Sequence, residues 1–572
     1  MPNFLKAAAG LGVAICLSAT TLVSFQVQAE TFPLRRSSPT GSYIAGMAAL
    51  DNLDASTAAS YFARAAEADW DNPFYSGRAF ISYLVAGRIS DAAASAQHLL
   101  DIDPQNELAR LTLGTVALKQ RRYPSAIQEL GRVPDLSLIG ITAGILGAWA
   151  NVGNGNSQAA LAAMDRLSGG GFDEFLVFHR AIMADVAGNR SDALRYGGEA
   201  YEIDPRDPRV AQAYIRILAN AGRYDEAQKI LDALNDEGIS HPYLDALAEP
   251  IGAQRRPGLF AANVQAGAAE VLHGLGAAIA QEGSTELGAI FLQLALYLDP
   301  DASAVAMTLG ELFARAGRYE RSSAFFARIS KESPFYPHAL VRQAENLDLA
   351  GEREDAISRL RNITVIHPDN IEALGALGDI LRYDEQWAEA AEVYSKLIER
   401  VDGNRPHEWR YFYVRGIAYE RSGQWELAEP DFLKALELNP DQPYVLNYLG
   451  YSWVDQGLNL DEALEMIDRA VAILPRDGYI IDSLGWAYYQ LGRIDDAIAE
   501  LERALQYLPN SAEINDHLGD AYWVAGRKRE AMFQWRIAVD VDDDGSVAER
   551  ASAKLFDGLD PDAPVADAHL TP

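Results

Sequence analysis

Near the end of the chain, Asp540, Asp542 and Asp544 alternate and Gly545 follows, with Val547 two positions on. That is the opening of a loop in which carboxylates and a glycine turn wrap a hard cation such as calcium. The twelfth position of such a loop needs a bidentate glutamate, and here it is Ala551, so an acidic turn closing a helix is the better reading. The nine histidines show no spacing with carboxylates that suggests zinc or a general base, and His98 and His179 read as packed or surface residues. Serine, histidine and aspartate are not linked as a triad, and no glycine-rich phosphate loop follows a strand, because no stretch alternates with a period of two. The chain therefore reads as a non-enzyme with no cofactor and no metal centre.

The elements that would hold any site are set by a 34-residue period. Small or apolar residues recur at Gly46, Phe80, Gly114, Gly147, Ala181 and Ile215, then at Gly276, Gly310, Ala344, Gly378, Gly416, Gly450, Gly485 and Gly519. Twelve residues after most of these anchors stands a second small residue, as at Ala58, Ala92, Ala126, Ala497 and Ala531, and twenty-four after, a proline, as at Pro104, Pro205, Pro440 and Pro509. Small residues where two short helices cross, with a proline stopping the second, make a helical hairpin that stacks on copies of itself. Glycines in Ala221-Gly222-Arg223 and Leu491-Gly492-Arg493 supply the turn between the helices.

This pattern resembles the tetratricopeptide repeat. Leu484, Gly485, Tyr488, Gly492, Ala497, Leu501, Ala504 and Pro509 reproduce that family's apolar, small and proline positions, and Leu518, Gly519, Tyr522, Gly526, Ala531, Trp535 and Ala538 repeat most of them. The resemblance implies an all-α fold, a right-handed α-solenoid of about 14 helix-turn-helix repeats in two arrays. The rhythm places the first array at residues 30–240 and the second at 263–545. Between them the gap from Ile215 to Gly276 holds His241-Pro242, Pro250 and Gln254-Arg255-Arg256-Pro257-Gly258, so residues 241–262 read as an irregular hinge or a degenerate repeat. After Val541 the pattern stops, and residues 546–572 read as an extension with a disordered end.

In that family the first helices of the pairs line a concave groove. The resemblance places Asn447, Tyr451, Asp482, Trp486, Tyr489, Asp516, Asp520 and Trp523 there, an aromatic and acidic surface for a partner protein or peptide. Alternatively, some of these aromatics pack between adjacent repeats. Upstream the same positions carry Arg342, Arg382, Arg410 and Arg421, whose guanidinium groups suit carboxylates of an acidic segment or a peptide C-terminus. Pairing with Glu345, Asp379 and Glu420 is the competing use of these arginines.

Charge and the N-terminus narrow the setting. The formal net charge of −32 repels phosphate backbones and anionic lipid, which argues against nucleic acid and against polybasic membrane docking. Residues 1–29 read as a secretory signal: Lys6 precedes an apolar run from Ala7 to Val23, and Val27-Gln28-Ala29 offers small residues for cleavage before Glu30. Cys16, the single cysteine, lies inside this segment, so the mature chain is expected to have neither thiol nor disulfide, and no transmembrane span.

The runs Asn447-Tyr448-Leu449-Gly450-Tyr451, Asp482-Ser483-Leu484-Gly485-Trp486 and His517-Leu518-Gly519-Asp520-Ala521-Tyr522-Trp523 look like bacterial exported tetratricopeptide adaptors. Those adaptors partner a C-terminal-processing protease and deliver cell-wall hydrolases to it. That resemblance implies a periplasmic protein-binding scaffold, peripheral at the envelope. The alternative is a structural assembly factor of an outer-membrane, polysaccharide or secretion complex.

Overall fold

The computed structural model describes residues 38–559 apart from 68, 135, 136, 543 and 544. The expected signal at 1–29, Cys16, Asp544 and the end of the expected extension lie outside the described residues. Among the described residues every regular element is helical, and no helix is long and apolar enough to cross a membrane.

Each repeat is built the same way. The helix Gly478–Gln490 begins where the Asp477 side chain accepts from the backbone N–H groups of Tyr479 and Ile480, satisfying donors that the helix itself leaves orphaned. It ends at a turn in which Gly492 has φ of 72°, a left-handed conformation that glycine takes at no steric cost. The second helix, Ile494–Tyr507, then runs back until Pro509 prevents its continuation.

The anchor glycines let the two helices touch. A Cβ on Gly485 would lie 2.6 Å from Leu501, one on Gly416 2.7 Å from Phe432, and one on Gly519 2.4 Å from Trp535. In each case the large side chain stands 16 residues later, on the returning helix, and lies against the glycine. Burying such a side chain contributes about 1.5–3 kcal/mol, which is why the small and large positions must alternate in phase.

The chain divides into two compact units, one ending at Ala356 and the other starting at Ile357. In the first, a continuous apolar core runs from Leu50 to Phe325. The segment 241–262 forms two short helices, Pro242–Asp245 and Ala248–Gly252, whose Leu244, Leu247 and Ile251 are buried with Ile215, Leu218 and Leu231. The next pair, Val264–Gln281 and Thr285–Leu298, does more than extend the stack. It packs against Pro73–Ala86, Glu107–Lys119, Leu138–Gly153 and Asp173–Val186, the first helices of four earlier pairs.

Polar side chains tie this packing to helix ends. Gln265 Nε2 donates to the Leu118 carbonyl at 2.9 Å, and Gln293 Nε2 to that of Val85 at 3.2 Å. Arg321 reaches the same Val85 oxygen at 2.7 Å and the Leu53 oxygen at 3.2 Å. The carbonyls of Val85 and Leu118 belong to last helical turns, where the helix itself supplies no i+4 donor, so residues 147 to 236 positions away in sequence donate to them. A Cβ on Gly267 would sit 2.1 Å from the Trp149 ring, so only glycine admits the fully buried indole there.

The second unit keeps to nearest neighbours. Every helix pair in substantial contact within it comes from the same or an adjacent repeat, as expected of a linear solenoid. Its core runs from Phe412 to Ala551. Where the repeat pattern ends, the structure adds one more helix, Ser546–Asp557, whose Val547 and Ala551 are buried.

Candidate partner-binding site

The aromatic and acidic positions expected in the groove do come together, on the first helices Pro443–Asp455, Gly478–Gln490 and Ala512–Val524. They are not open. Trp486 is 3% exposed and Asp516 1%, and Tyr451, Asp482 and Asp520 are also buried, while Asn447, Tyr489 and Trp523 are half-buried. The reason is physical: on these faces the next repeat, and finally the extra helix Ser546–Asp557, lies against the side chains.

The centre of the cluster is His517, which the sequence reading passed over. Its Nδ1 meets Asp482 Oδ1 at 3.0 Å and its Nε2 meets Glu513 Oε1 at 3.2 Å. Trp486 stacks on the imidazole at 4.1 Å and on Tyr489 at 4.9 Å. Burial by itself would lower the His517 pKa, but the charge and hydrogen bond of Asp482, with help from Glu513, raise it to about 10. Glu513 responds in the opposite sense: burial opposes ionisation, but His517 and then Arg550 hold it at about 2. The imidazolium between two carboxylates is thus a permanent charge at neutral pH, faced by the π surface of an indole.

Beside it, the extra helix supplies cations to the last repeat. Arg550 Nε donates to Asp516 Oδ2 at 2.7 Å, and Lys554 Nζ bridges Asp516 at 2.9 Å and Asp520 at 2.7 Å. Asp520 also accepts from the Trp535 indole N–H at 2.9 Å. Burial and the neighbouring Asp516 push the Asp520 pKa up, against the pull of Lys554. The Trp523 indole N–H donates to the Leu559 carbonyl at 2.9 Å. Burial, then the nearby Asp482, raises the Tyr451 phenol well above its ordinary value.

The missed groups had a sequence signal. Arg550 and Lys554 each stand 34 residues after their partners Asp516 and Asp520, and His517 stands 35 after Asp482. The helix Ser546–Asp557 therefore occupies the place of the first helix of a further repeat, with Ala553 34 residues after the anchor Gly519.

The arginines behave differently. Arg342 lies in the first unit and donates to Glu345 at 2.7 Å. In the second unit, Arg382 lies 4.3 Å over the Tyr383 ring and 4.0 Å from Asp379, and Arg421 lies 5.3 Å over Trp387. Arg410 is exposed and rests 5.3 Å over Tyr411. Glu420, expected to pair with an arginine, accepts from the Tyr448 hydroxyl at 3.0 Å.

The calcium-like motif is put to another use in part. Asp542 Oδ2 accepts from the N–H groups of Val547 at 2.8 Å and Ala548 at 2.6 Å, capping the first turn of the last helix. Among the described residues no group of three or more histidine, cysteine, aspartate or glutamate side chains is placed to hold a metal ion, and Asp540 joins none.

Comparison with known sequences supplies the family of the repeat. Tetratricopeptide repeat models match residues 83–136, 187–249, 373–407 and 409–442, and a TPR repeat model matches 485–526. The chain carries tetratricopeptide repeats. A TPR repeat-containing protein of Pseudomonas aeruginosa is 27% identical over 192 residues, which cover 33% of this chain and 32% of that relative. The match thus spans about a third of the relative's length. Among solved structures, a tetratricopeptide repeat protein from Parabacteroides merdae is 19% identical, with a TM-score of 0.37 covering 44% of this chain and 96% of its own. The APC/C hetero-tetramer Cut9–Hcn1 is 13% identical, with a TM-score of 0.38 covering 91% of this chain and 96% of its own. Tetratricopeptide repeats in general form non-catalytic scaffolds that mediate protein–protein interaction.

Proposed function

We propose that this chain is a periplasmic interaction scaffold whose second unit engages protein partners along the first helices of its repeats. One observation carries the reading. In the first unit the equivalent face is packed by the chain's own helices Val264–Gln281 and Thr285–Leu298, whereas among the described residues of the second unit the repeats make substantial contact only with their neighbours. The face left by this arrangement carries the exposed Arg410 and the aromatic-backed Arg382 and Arg421. A guanidinium resting on a ring is positioned in advance, so less side-chain freedom is lost when a carboxylate arrives. An acidic segment of a partner suits this surface.

The finer reading is an exported adaptor that brings cell-wall hydrolases to a C-terminal-processing protease. It rests on the likeness of the runs around Gly450, Gly485 and Gly519 to such adaptors and on the secretory character of residues 1–29. The test is cross-linking in intact cells followed by purification of the tagged chain. Recovery of such a protease together with hydrolases supports the adaptor, and Arg410→Glu with Arg421→Glu should abolish that recovery. A stable envelope complex without any protease would instead mark a structural assembly factor. Fractionation, with N-terminal sequencing of the mature chain at Glu30, tests export.

A further inference from the structure

A cavity of about 200 Å³ opens in the first unit. One wall is the helix Pro208–Asn220, which presents Arg209, Gln212 and Arg216 at positions i, i+3 and i+7, one stripe of a helix. The opposite wall is Val264–Gln281 with Glu270 and His273, and Tyr243 and Phe260 close the sides.

The two arginines are in contrasting states. Arg209 turns its Nε and Nη2 edge onto Glu270, with Nε 3.1 Å from Oε1, and Glu270 is held below the usual carboxylate range because Arg209 outweighs the effect of burial. That guanidinium is spent. Arg216 uses only Nη1, which donates to the Pro257 carbonyl at 2.6 Å and more weakly to that of Gly258. Its Nε is buried without a hydrogen-bond partner, and it forms no ion pair among the described residues. The same Nε and Nη2 edge clasps both oxygens of a carboxylate in the Arg415–Asp431 and Arg361–Glu389 pairs of this chain. One turn away, Gln212 is 4% exposed and its Oε1 lacks a donor. A buried guanidinium N–H without an acceptor and a buried acceptor without a donor are both costly to maintain.

We infer that this cavity is a binding site for a small ligand that carries a free carboxylate next to an N–H group. The carboxylate lies side-on against the Nε and Nη2 edge of Arg216, and the N–H donates to Gln212 Oε1. A phosphate suits it less, because one uncommitted guanidinium faces it and Asp299 and Asp301 also line the cavity. Two sources share this chemistry: a free amino acid, and the last residue of a peptide.

The test is calorimetric titration of the full chain with L-alanine, with N-acetyl-L-alanine, and with N-acetyl-L-alanine amide, which keeps the N–H but lacks the charge. Saturable heat with either acid and none with the amide is the expected result. Stronger binding of L-alanine points to a free amino acid, and stronger binding of the acetylated acid points to a peptide end. Arg216→Gln should weaken binding at least tenfold, and Gln212→Leu, which keeps the cation, should weaken it by a smaller factor. Circular dichroism reports whether either variant has lost its helices, and one folded variant suffices. The inference is overturned if neither acid binds at millimolar concentration, if the amide binds as well as the acids, or if both folded variants bind as the wild type does.

Discussion

Asp516 and Arg550 stand 34 residues apart, one repeat period, and meet at 2.7 Å between Oδ2 and Nε. The pair shows that the last helix docks as a further repeat would, with charged contacts beside the buried Val547 and Ala551. Asp516 is almost wholly buried, so its charge depends on Arg550 and Lys554 for compensation. Arg550→Ala together with Lys554→Ala should destabilise the last repeat by about 3 kcal/mol, read as faster hydrogen exchange in 512–541. Adding Asp516→Asn and Asp520→Asn should restore much of that loss. Unchanged exchange in the first double variant would show that the helix is only loosely attached.

Trp486 is a structural residue in this arrangement, because its indole lies between His517 and Tyr489. Trp486→Ala should cost about 3–5 kcal/mol through the cavity it leaves. Its Nε1 is buried without a partner. Trp486→Phe, which preserves the stack and removes that orphaned donor, should therefore be close to neutral in denaturant titrations monitored by far-UV circular dichroism.

The close glycine contact predicts a compensating pair. Gly519→Ala places a methyl 2.4 Å from Trp535 and should cost about 1–3 kcal/mol by overpacking. Trp535→Leu in the same chain makes room, so the double variant should be more stable than the sum of the two single effects. Simple additivity in melting temperature would show that the two helices separate freely.

Stability should respond to alkali through His517. Its folded pKa of about 10 lies above the ordinary 6.5, so its contribution is fully present below pH 6.5 and is lost as pH rises towards 10. His517→Gln should flatten the fall in stability over that window. An imidazole signal in NMR that titrates near pH 6.5 in the folded chain would contradict the salt-bridged arrangement.

His179 has the opposite sign. It is fully buried among Phe175, Phe178 and Trp149, neither ring nitrogen has a hydrogen-bond partner, and burial lowers its pKa to about 3. Below pH 6.5 the unfolded chain takes up a proton that the folded chain refuses, so stability should fall between pH 6.5 and 3. His179→Leu should make the first unit less sensitive to acid, seen as a smaller drop in melting temperature between pH 7 and 5.

Much of the fold was legible because each repeat is decided locally. Gly485, Gly492, Ala497 and Pro509 announce a crossing, a turn, a second crossing and a stop, and each acts within a few residues of itself. The candidate site was legible in position and not in exposure. Phase alone put Trp486, Asp482 and Asp516 on neighbouring first helices, and the aromatics packed between repeats, an option the pattern left open, are what the structure contains at Trp486. His517 was missed although it stands 35 residues after Asp482, because one such spacing between two polar residues arises often by chance, and Arg550 and Lys554 because the repeat pattern stops after Val541.

By itself the sequence determined the all-helical repeat, the partnering of most anchor glycines with a large residue 16 positions on, and the acidic character of the chain. Those features follow from steric and hydrogen-bonding rules that operate over one or two turns of backbone. Only the tertiary structure decided that Val264–Leu298 would fill the face of the first unit's earlier helices and that the last helix would cover Asp516. The same holds for Arg216, which ends up without a carboxylate while Arg209 finds one. Those outcomes depend on small rotations summed over many repeats, which decide which distant side chains meet, and no period in the sequence records that sum.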